Sequence, residues 1–388
     1  MKKLGLYIHI PFCISKCAYC DFFSVPCKDD ELIEKYISAL CSHIDEYKCQ
    51  TRQYTVDTIY LGGGTPSLLS EKHMNTLLKK IYSCFGVAKN AEISAEVNPG
   101  TIDLKKLKAY RKAGINRLSI GTQSFAEADL SRCGRIHSVN DNFAAVSDAR
   151  KAGFENISLD IMFGLPDQNI AGALENLNTA LKLNPEHISL YGLTLEEGTP
   201  FFDIKDELNL PNESCDSEMY FSSVNLLREC GYYQYEISNF AKKDRYCRHN
   251  IKYWDCEEYL GLGPGAHSYF GGKRFSFKKN LDLYLGAFSK NSDGESILGD
   301  YIDIPASAMA AEYVMLRFRL SDGIDCDAFY KRFGRTFDSI YFNRILPFLK
   351  SGHIVRTNKG YAFSVQGMYV SNYILSRIID FDLNIPGI

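Results

Sequence analysis

Near the beginning of the chain, residues 7–24 read YIHIPFCISKCAYCDFFS and place three cysteines directly after an apolar run of strand type. The cysteines are Cys13, Cys17 and Cys20, and the run is Leu6–Ile10. Three thiolates in one tight loop can hold three irons of a cubane iron–sulfur cluster, which leaves the fourth iron open. An open metal position is typical of catalysis or of substrate binding. The stretch therefore predicts a metal site at the end of the first strand.

Two other interpretations of the cysteines stay open on spacing alone. Offsets of four and three residues would also put the side chains on one stripe of a helix, where they would pack into a core. The proline before the cysteines and the aromatic residues after them disfavour that helix. A zinc site would need a fourth ligand, for which His9, Asp21 and Cys27 are the candidates.

Outward from this loop, the first two-thirds of the chain repeats a strand-type run, a polar loop and an amphipathic helix. The phrases KAGINRLSI and KAGFENISL each carry a glycine, Gly114 or Gly153, that can cap a helix before the next strand. The predicted strands are Leu6–Ile10, Thr58–Leu61, Glu92–Val97, Arg117–Ile120, Asn156–Ile161 and His187–Tyr191. Strands that alternate with helices predict βαβ units and a parallel sheet. Six units are too few for a closed eight-stranded barrel, so the predicted fold class is α/β, as a partial barrel or a doubly wound sheet.

From about residue 290 the pattern changes, and predicted helices surround a short hairpin at Ile354–Phe363. The turn TNKG at residues 357–360 suits that hairpin. We therefore predict two domains: residues 1–285, which carry the metal site, and residues 290–388, a small helical or winged-helix-like domain.

The composition argues against several classes of protein. The chain has 388 residues and a net charge of −3, from 44 Lys and Arg against 47 Asp and Glu, so no nucleic-acid partner is expected. It lacks the apolar run of roughly 18 residues that would predict a membrane span, and its N-terminus does not resemble a signal peptide; peripheral membrane contact stays open. Thirteen scattered cysteines favour a reducing compartment over a disulfide framework. These features predict a cytoplasmic protein.

Glycines and carboxylates mark the later predicted strands, and ligands bind at the carboxyl ends of parallel strands. The second strand ends in GGGTPS, with Gly63, Gly64 and Thr65, where the glycines would form a tight turn or let the backbone approach a ligand. Glu96 and Asp160 stand inside otherwise apolar runs, and a buried carboxylate is costly unless it is paired or bound to a ligand. These residues predict a binding site beside the cysteines.

Two more polar residues belong to the same predicted edge of the sheet. Gln123 ends the fourth strand in IGTQSF, and Arg135 follows in CGRIHS. The guanidinium of Arg135 could pair with Asp160 or with the carboxylate of a ligand.

A separate segment, CRHNIKYWDC, combines an imidazole with two large aromatic rings at His249, Tyr253 and Trp254. Imidazole is a common axial ligand of haem iron, and flat rings can pack on a porphyrin. A single histidine can equally be a hydrogen-bonded structural residue, and Cys247 and Cys256 are alternative ligands. The segment is a candidate haem site.

The motifs together resemble the radical S-adenosylmethionine (SAM) proteins, in particular the branch that contains anaerobic coproporphyrinogen III oxidase and the haem chaperones. The motifs are YIHIPFCISKCAYCDF, GGGTPS, AEVNP, SIGTQSF, GRIHS and LDIMFGLP, in this order between Tyr7 and about Ser268. The C-terminal segment resembles the small extra domain of that branch. The resemblance implies a partial (β/α)6 TIM-like barrel of the radical SAM type.

The resemblance also implies cofactors and site residues. It implies a [4Fe–4S] cluster on Cys13, Cys17 and Cys20, with SAM chelating the open iron and one electron cleaving SAM to methionine and a 5′-deoxyadenosyl radical. By motif position, the residues that resemble the SAM-contacting set are Tyr7, Tyr19, Gly63, Gly64, Thr65 and Glu96. Gln123, Arg135 and Asp160 resemble residues that bind a second SAM in the oxidase, and whether this chain binds a second SAM stays open.

Two departures from the oxidase favour the haem-chaperone type. The oxidase carries a further cysteine two residues after the third ligand, where this chain has Asp21 and Phe22, and it has an extension before the first strand, whereas Tyr7 is almost at the start here. The phrase HNIKYW resembles the haem motif of the chaperone type, with His249 as the haem ligand. The resemblance therefore implies a haem-binding chaperone that carries the cluster and SAM and transfers haem to acceptor proteins.

The alternative is an enzyme of porphyrin biosynthesis, an oxygen-independent coproporphyrinogen III oxidase that forms protoporphyrinogen IX by oxidative decarboxylation. Either function implies an electron donor as a partner, and the resemblance leaves open a homodimer. Whether the chain is an enzyme at all is not decided by its sequence.

Overall fold

The computed structural model describes residues 1–289 and 296–381, and these form two compact units. The first unit comprises Met1–Met219 and Glu258–Ile302, and the second comprises Tyr220–Glu257 and the chain from Asp303 onward. The segment 220–257 thus belongs to the second unit, although the sequence suggested that it continues the first domain. Residue 290, the predicted start of the second domain, lies outside the described residues.

The first part of the chain alternates strands and helices, as predicted. Up to residue 229 the elements are β1 (Lys2–Ile10), β2 (Phe12–Cys13), β3 (Val25–Pro26), α1 (Asp30–Tyr47), β4 (Tyr54–Gly63), a 3-10 turn (Pro66–Leu68), α2 (Glu71–Cys84), β5 (Val87–Val97), α3 (Leu104–Ala113), β6 (Arg117–Gln123), α4 (Glu127–Arg132), α5 (Val139–Lys151), β7 (Ile157–Phe163), α6 (Ile170–Lys182), β8 (His187–Gly192), α7 (Pro200–Asp203) and α8 (Glu213–Glu229).

The remaining elements are shorter. From residue 230 they are β9 (Tyr233–Gln234), β10 (Asn239–Ala241), α9 (Arg248–Trp254), β11 (Tyr259–Leu262), β12 (His267–Phe270), β13 (Lys273–Phe277), α10 (Leu281–Ala287), β14 (Leu298–Asp303), α11 (Ala306–Arg317), β15 (Ile324–Asp325), α12 (Cys326–Phe333), α13 (Phe337–Lys350), β16 (Ile354–Arg356), β17 (Gly360–Phe363), α14 (Val365–Tyr369) and α15 (Ser371–Ile378).

Local sequence signals explain where the helices of the first unit begin and end. Their N-cap side chains accept backbone N–H groups, which would otherwise lack partners; the caps are Asp29, Ser70, Asp103, Ser138 and Asn169. Gly114 and Gly153 end α3 and α5 with positive φ values of 120° and 89°. The predicted glycine caps are therefore confirmed.

The sheet of the first unit has the topology of a barrel. Its strands follow the order β14-β13-β12-β11-β1-β4-β5-β6-β7-β8, and the six strands from β1 to β8 in this order pair in parallel. A doubly wound sheet would reverse its strand order part-way, and these six strands follow the chain without reversal. The predicted partial (β/α)6 barrel is confirmed.

Strand β1 places its apolar residues and its candidate site residue on opposite faces. Its alternate residues Leu4, Leu6, Ile8 and Ile10 are fully buried. Successive side chains of a strand point to opposite faces, so Tyr7 lies on the face opposite these four residues. The two sides of the strand thus separate apolar packing from candidate chemistry.

The sequence did not predict the strands that extend the sheet beyond β1. Strand β11 pairs in parallel with β1, with Leu6 opposite Leu260, and β12 and β13 continue the sheet in antiparallel pairing. The segment GLGPGAHS, which joins β11 to β12, packs closely against β1, and Gly263 makes this possible. It has a φ of 109°, and a Cβ there would lie 2.9 Å from the carbonyl oxygen of His9.

The second unit contains a three-stranded sheet, in the order β15-β17-β16, with helices around it. Its hairpin pairs Ile354 with Phe363, as predicted from the TNKG turn. Its core is rich in aromatic side chains that are almost fully buried: Phe318, Phe329, Phe337, Tyr341, Tyr361 and Phe363. Helices around a small hairpin sheet agree with the winged-helix-like prediction.

Among the helices of residues 1–289 and 296–381, none is long and apolar enough to cross a membrane.

We expect Gly323→Ala to destabilise the second unit more than Gly352→Ala does. Both glycines have positive φ, of 63° and 78°, and an alanine there costs about 1–2 kcal/mol. A Cβ at Gly323 would in addition lie 2.1 Å from the carbonyl oxygen of Tyr361, whereas Gly352 faces open space. Thermal unfolding followed by circular dichroism measures the difference, and equal losses in the two variants would contradict it.

Candidate functional site

The three cysteines lie in a loop whose two ends are tied together. After β1, the short strand β2 pairs in parallel with β3, with Cys13 opposite Pro26. The N–H of Cys27 donates to the carbonyl of Cys13 over 2.8 Å, which closes the base of the loop. Residues 14–20 contain a bend and a turn but no helix. The alternative in which the cysteines form a stripe on a helix is therefore wrong.

The candidate fourth ligands of a zinc site are directed elsewhere or exposed. The ring of His9 is buried, with Nε2 2.9 Å from the carbonyl oxygen of Phe23 and Nδ1 3.1 Å from the hydroxyl of Tyr7. Burial lowers the pKa of His9 to about 4. The Sγ of Cys27 accepts the N–H of Asp29, and Asp21 is exposed.

The donor set fits a multi-iron cluster better than a single ion. Within residues 1–289 and 296–381, no three His, Cys, Asp or Glu side chains converge on the position of one metal ion. A cubane cluster does not require this convergence, because each cysteine binds a different iron. Cys20 is half-buried, and burial together with the nearby Cys17 and Cys13 raises the pKa of its thiol to about 11. Coordination would deprotonate such a thiol.

Two polar side chains donate to the cysteine sulfurs. The hydroxyl of Thr65 lies 3.4 Å from Cys13 Sγ, and Nη1 of Arg135 lies 3.4 Å from Cys17 Sγ. Donors of this kind stabilise a sulfur that carries negative charge. Cys13 and Cys17 therefore each have a donor that would stabilise a thiolate.

The glycine loop after β4 packs directly against the cysteine loop. The N–H of Gly64 donates to the carbonyl of Ile10, and the N–H of Thr65 donates to that of Phe12. A Cβ at Gly63 would lie 2.5 Å from the ring of His9, and one at Gly64 would lie 2.6 Å from the carbonyl oxygen of Phe12. The glycines thus allow the two loops to pack closely, and their contact with SAM stays a prediction.

Glu96 lies at the end of β5 with both carboxylate oxygens engaged. The hydroxyl of Tyr60 donates to Oε1 over 2.9 Å, and the N–H of Gly63 donates to Oε2 over 3.1 Å. Burial is the largest cause, and the negative charge of Asp160 the second, that raises the pKa of Glu96 to about 7. Burial and Glu96 also raise the pKa of the neighbouring Tyr7. A pocket that strains a carboxylate in this way would favour a cationic ligand group.

Asp160 is held by serines inside the barrel. Ser119 donates to both of its carboxylate oxygens, over 3.0 and 3.1 Å, and Ser158 donates over 3.3 Å. Burial raises the pKa of Asp160. Arg135 donates to the carbonyl of Gly121 and to Cys17, so the Arg135–Asp160 pair considered from the sequence is not the arrangement that the structure has.

Gln123 and Arg135 converge above Gly121, together with a residue that sequence reasoning missed. A Cβ at Gly121 would lie 2.7 Å from Oδ1 of Asn98, 3.0 Å from Nε2 of Gln123 and 3.3 Å from Nη2 of Arg135. Gln123 itself has a φ of 58°, which is unusual for a residue with a side chain. Asn98 belongs to the motif AEVNP, and only its contacts reveal its place in the site.

Tyr19 anchors the far side of the cysteine loop. It packs with Ala18 against an apolar cluster that includes Cys133 and Phe201. The N–H of Ala18 donates to the carbonyl of Cys133, and the N–H of Phe201 donates to that of Ala18. Burial raises the pKa of Tyr19.

His249 lies in α9 of the second unit and is fully buried. Its Nε2 is 2.9 Å from the hydroxyl of Tyr253, and the two rings meet almost at right angles. The ring of Trp254 carries the guanidinium of Arg319 at 4.5 Å. Cys247 is buried, and Cys256 belongs to the aromatic core of the unit. The structure thus shows the hydrogen-bonded histidine, and haem ligation stays a prediction.

Comparison with known families agrees with this architecture. Residues 7–180 match the Radical SAM superfamily, and residues 304–370 match the HemN C-terminal domain. Among solved structures, the chain is similar to coproporphyrinogen III oxidase (HemN) from Escherichia coli, a radical SAM enzyme, with a TM-score of 0.86. The superposition covers 98% of this chain and 91% of that one at 22% identity, and it shows the fold alone.

Curated relatives match over nearly the whole length. The chain is 34% identical to heme chaperone HemW of Bacillus subtilis, over 96% of this chain and 98% of that protein. It is 35% identical to heme chaperone HemW of Haemophilus influenzae, over 98% of each chain, and 39% identical to that of Escherichia coli, over 82% and 83%. The chain therefore belongs to the radical SAM superfamily, within the HemW family of heme chaperones.

Proposed function

We propose that this chain is a haem-binding chaperone that carries a [4Fe–4S] cluster and SAM and transfers haem to acceptor proteins. The observation that carries the proposal is its similarity to proteins named heme chaperones along 96% of its length. The proposal includes a cytoplasmic location, an electron donor as partner and no nucleic-acid partner. A homodimer stays open.

The residues that would hold the cluster are Cys13, Cys17 and Cys20. Support comes from the closed base of their loop and from the donors that Thr65 and Arg135 direct at two of the sulfurs. When bound, such a cluster supplies the single electron that SAM cleavage needs.

The residues that would bind SAM surround this loop at the carboxyl ends of the strands. By motif position they are Tyr7, Tyr19, Gly63, Gly64, Thr65 and Glu96, with Gln123, Arg135 and Asp160 for a second SAM. Glu96 is suited to the amino group or the hydroxyls of SAM, because burial raises the pKa of its carboxyl despite the nearby positive charge of Arg117. The carboxylate accepts from the neutral Tyr60 hydroxyl and the Gly63 N–H, and a cationic ligand group would stabilise it further. Arg135 reaches the cysteine loop itself, which argues that it also serves the cluster.

For haem, His249 is the proposed ligand. Coordination through Nε2 would require the ring to exchange its hydrogen bond with Tyr253 for the haem iron. The buried Cys247 is the alternative ligand, two residues before it.

The competing function is coproporphyrinogen III oxidation, because the oxidase has a similar fold. The sequence Asp21-Phe22 after the third cysteine argues against the oxidase function, since the oxidase has a further cysteine at this place.

Haem binding without porphyrinogen turnover is the first expected result. After anaerobic reconstitution, haem titration should shift the Soret band, and coproporphyrinogen III with SAM and reductant should yield no protoporphyrinogen IX. His249→Ala should weaken haem binding, while His353→Ala, at a hydrogen-bonded histidine of the same unit, should not. Formation of protoporphyrinogen IX would contradict the hypothesis that the protein is a chaperone without enzymatic activity. An unchanged Soret band would contradict the proposal that the protein binds haem.

Loss of the cluster with retention of the fold is expected for Cys13→Ala. Cys13 is only half-buried, so the loss of its thiol should cost little packing. The matched control is Cys27→Ala, because Cys27 follows the same loop but its Sγ is bonded to Asp29. Iron and sulfide analysis with far-UV circular dichroism measures both properties. Equal loss of iron in the two variants would mean that Cys27 is also a ligand.

We expect Glu96→Gln to stabilise the protein without cofactors at pH 8 but not at pH 4.5. The pKa of Glu96 is raised from 4.5 to about 7 in the folded chain. The folded state therefore holds the proton that the unfolded state releases between these values, and stability falls as the pH rises through this window. The gain at pH 8 should be about 1–3 kcal/mol, accompanied by weaker SAM binding to the reconstituted protein.

Urea unfolding at the two pH values measures this gain, with Glu175→Gln, at an exposed carboxyl on α6, as the control. A gain that is the same at both pH values would show that the charge of Glu96 is not its cause.

A further inference from the structure

We propose that Asn98 is a positioning residue that aligns hydrogen-bond donors on two cysteine sulfurs and so sets the reduction potential of the cluster. The inference rests on the proposed function, because it presumes a cluster on Cys13, Cys17 and Cys20. It concerns the part of the site that the sequence motifs did not explain.

The amide of Asn98 has only one orientation that satisfies both neighbours. Arg135 is a donor only, and its Nη2 lies 2.8 Å from Oδ1 of Asn98. The amide nitrogen Nδ2 must then face Thr65, where it lies 2.9 Å from Oγ1. The arginine thus decides which group the asparagine presents to the threonine.

This orientation directs the hydroxyl of Thr65 at the first sulfur. Thr65 is buried, and its hydroxyl oxygen accepts a hydrogen bond from the side-chain amide nitrogen Nδ2 of Asn98. A hydroxyl has one hydrogen to donate, and the oxygen lies 3.4 Å from Cys13 Sγ. With its oxygen occupied as an acceptor, the hydroxyl is left to donate to the sulfur.

The same asparagine orients the donor on the second sulfur. Nη2 of Arg135 is held by Oδ1 of Asn98 and by the carbonyl oxygen of Gly121, each at 2.8 Å. Because the guanidinium is planar and rigid, two acceptors on Nη2 fix the direction of Nη1. Nη1 then lies 3.4 Å from Cys17 Sγ.

Asn98 is itself held firmly. Its N–H donates to Oγ of Ser67 over 3.1 Å, and its carbonyl accepts the N–H and the hydroxyl of Thr101. The ammonium of Lys106 donates to the carbonyls of Ser67 and Thr101, over 2.8 and 3.0 Å, and so joins the two loops that flank the asparagine. Gly121 leaves the space for its side chain, since a Cβ would lie 2.7 Å from Oδ1.

Hydrogen bonds to the sulfurs of an iron–sulfur cluster are among the factors that set its reduction potential. Donors stabilise the reduced form more, because it carries the additional negative charge. Loss of the alignment should therefore make the reduction potential of the cluster more negative. Asn98 acts on this potential through Thr65 and Arg135.

The test is an anaerobic redox titration of the reconstituted protein without SAM, followed by electron paramagnetic resonance. Asn98→Ala should shift the midpoint potential to a more negative value without changing the net charge. The control is Asn116→Ala, whose amide also makes two backbone bonds, to Ile93 and Ala91, but before the start of β6. The control should keep the potential of the unsubstituted chain.

A second variant, Thr65→Val, removes one donor and nearly preserves the shape of the side chain. It should also shift the potential negatively, and Asn98→Ala should add less in this background than alone, because part of its effect passes through Thr65. Thr65→Val decides the matter if Asn98→Ala fails to fold. Unchanged potentials, or fully additive shifts, overturn the positioning role. Failure of the proposed function would look different, as an unsubstituted protein that binds no iron and sulfide.

Discussion

The parallel pairing of β1 with β4 is the constraint on which the site depends. Its register sets Ile10 opposite Gly63, and two further backbone bonds, from Gly64 to Ile10 and from Thr65 to Phe12, continue the pairing past the strands. These bonds tie the glycine loop to the cysteine loop and bring the hydroxyl of Thr65 to Cys13. A slip of one residue would turn the side chains to the opposite face, and the contact between the loops would be lost.

Polar groups buried at the strand ends impose the second constraint. Burial raises the pKa of Glu96 and of Asp160, although the charge of Arg117 partly offsets this. Hydroxyl groups donate to both carboxylates, and the N–H of Gly63 donates to Glu96. Such carboxylates reduce stability when ionised, and apolar residues would pack the same space without this cost. The barrel thus retains two destabilising carboxylates beside three cysteines. Functional sites commonly carry such residues, whose cost the rest of the fold offsets.

The sequence and the structure contribute differently to particular residues. The alternation of strands and helices predicted the partial barrel, because period and capping signals are local. The strand β11 was missed because its pairing with β1 joins segments far apart in the chain. Asn98 was missed for a related reason: an asparagine carries no periodic signal, and its importance arises only where Thr65 and Arg135 meet it. For His249, the motif suggested a ligand of haem iron. The structure adds a hydrogen bond between His249 and Tyr253, which coordination to the iron through Nε2 would have to replace.

By itself, the sequence determined the fold class, the loop with three cysteines, the glycine turn and the small C-terminal domain. These features depend on neighbours in the chain, such as the spacing of Cys13, Cys17 and Cys20 or the conformational freedom of glycine. Only the tertiary structure decided which donors reach the sulfurs, that His9 and Cys27 are engaged with other partners, and that residues 220–257 join the second unit. The reason is physical: hydrogen bonds and packing between distant segments depend on strand register and side-chain direction, which no single segment of sequence specifies.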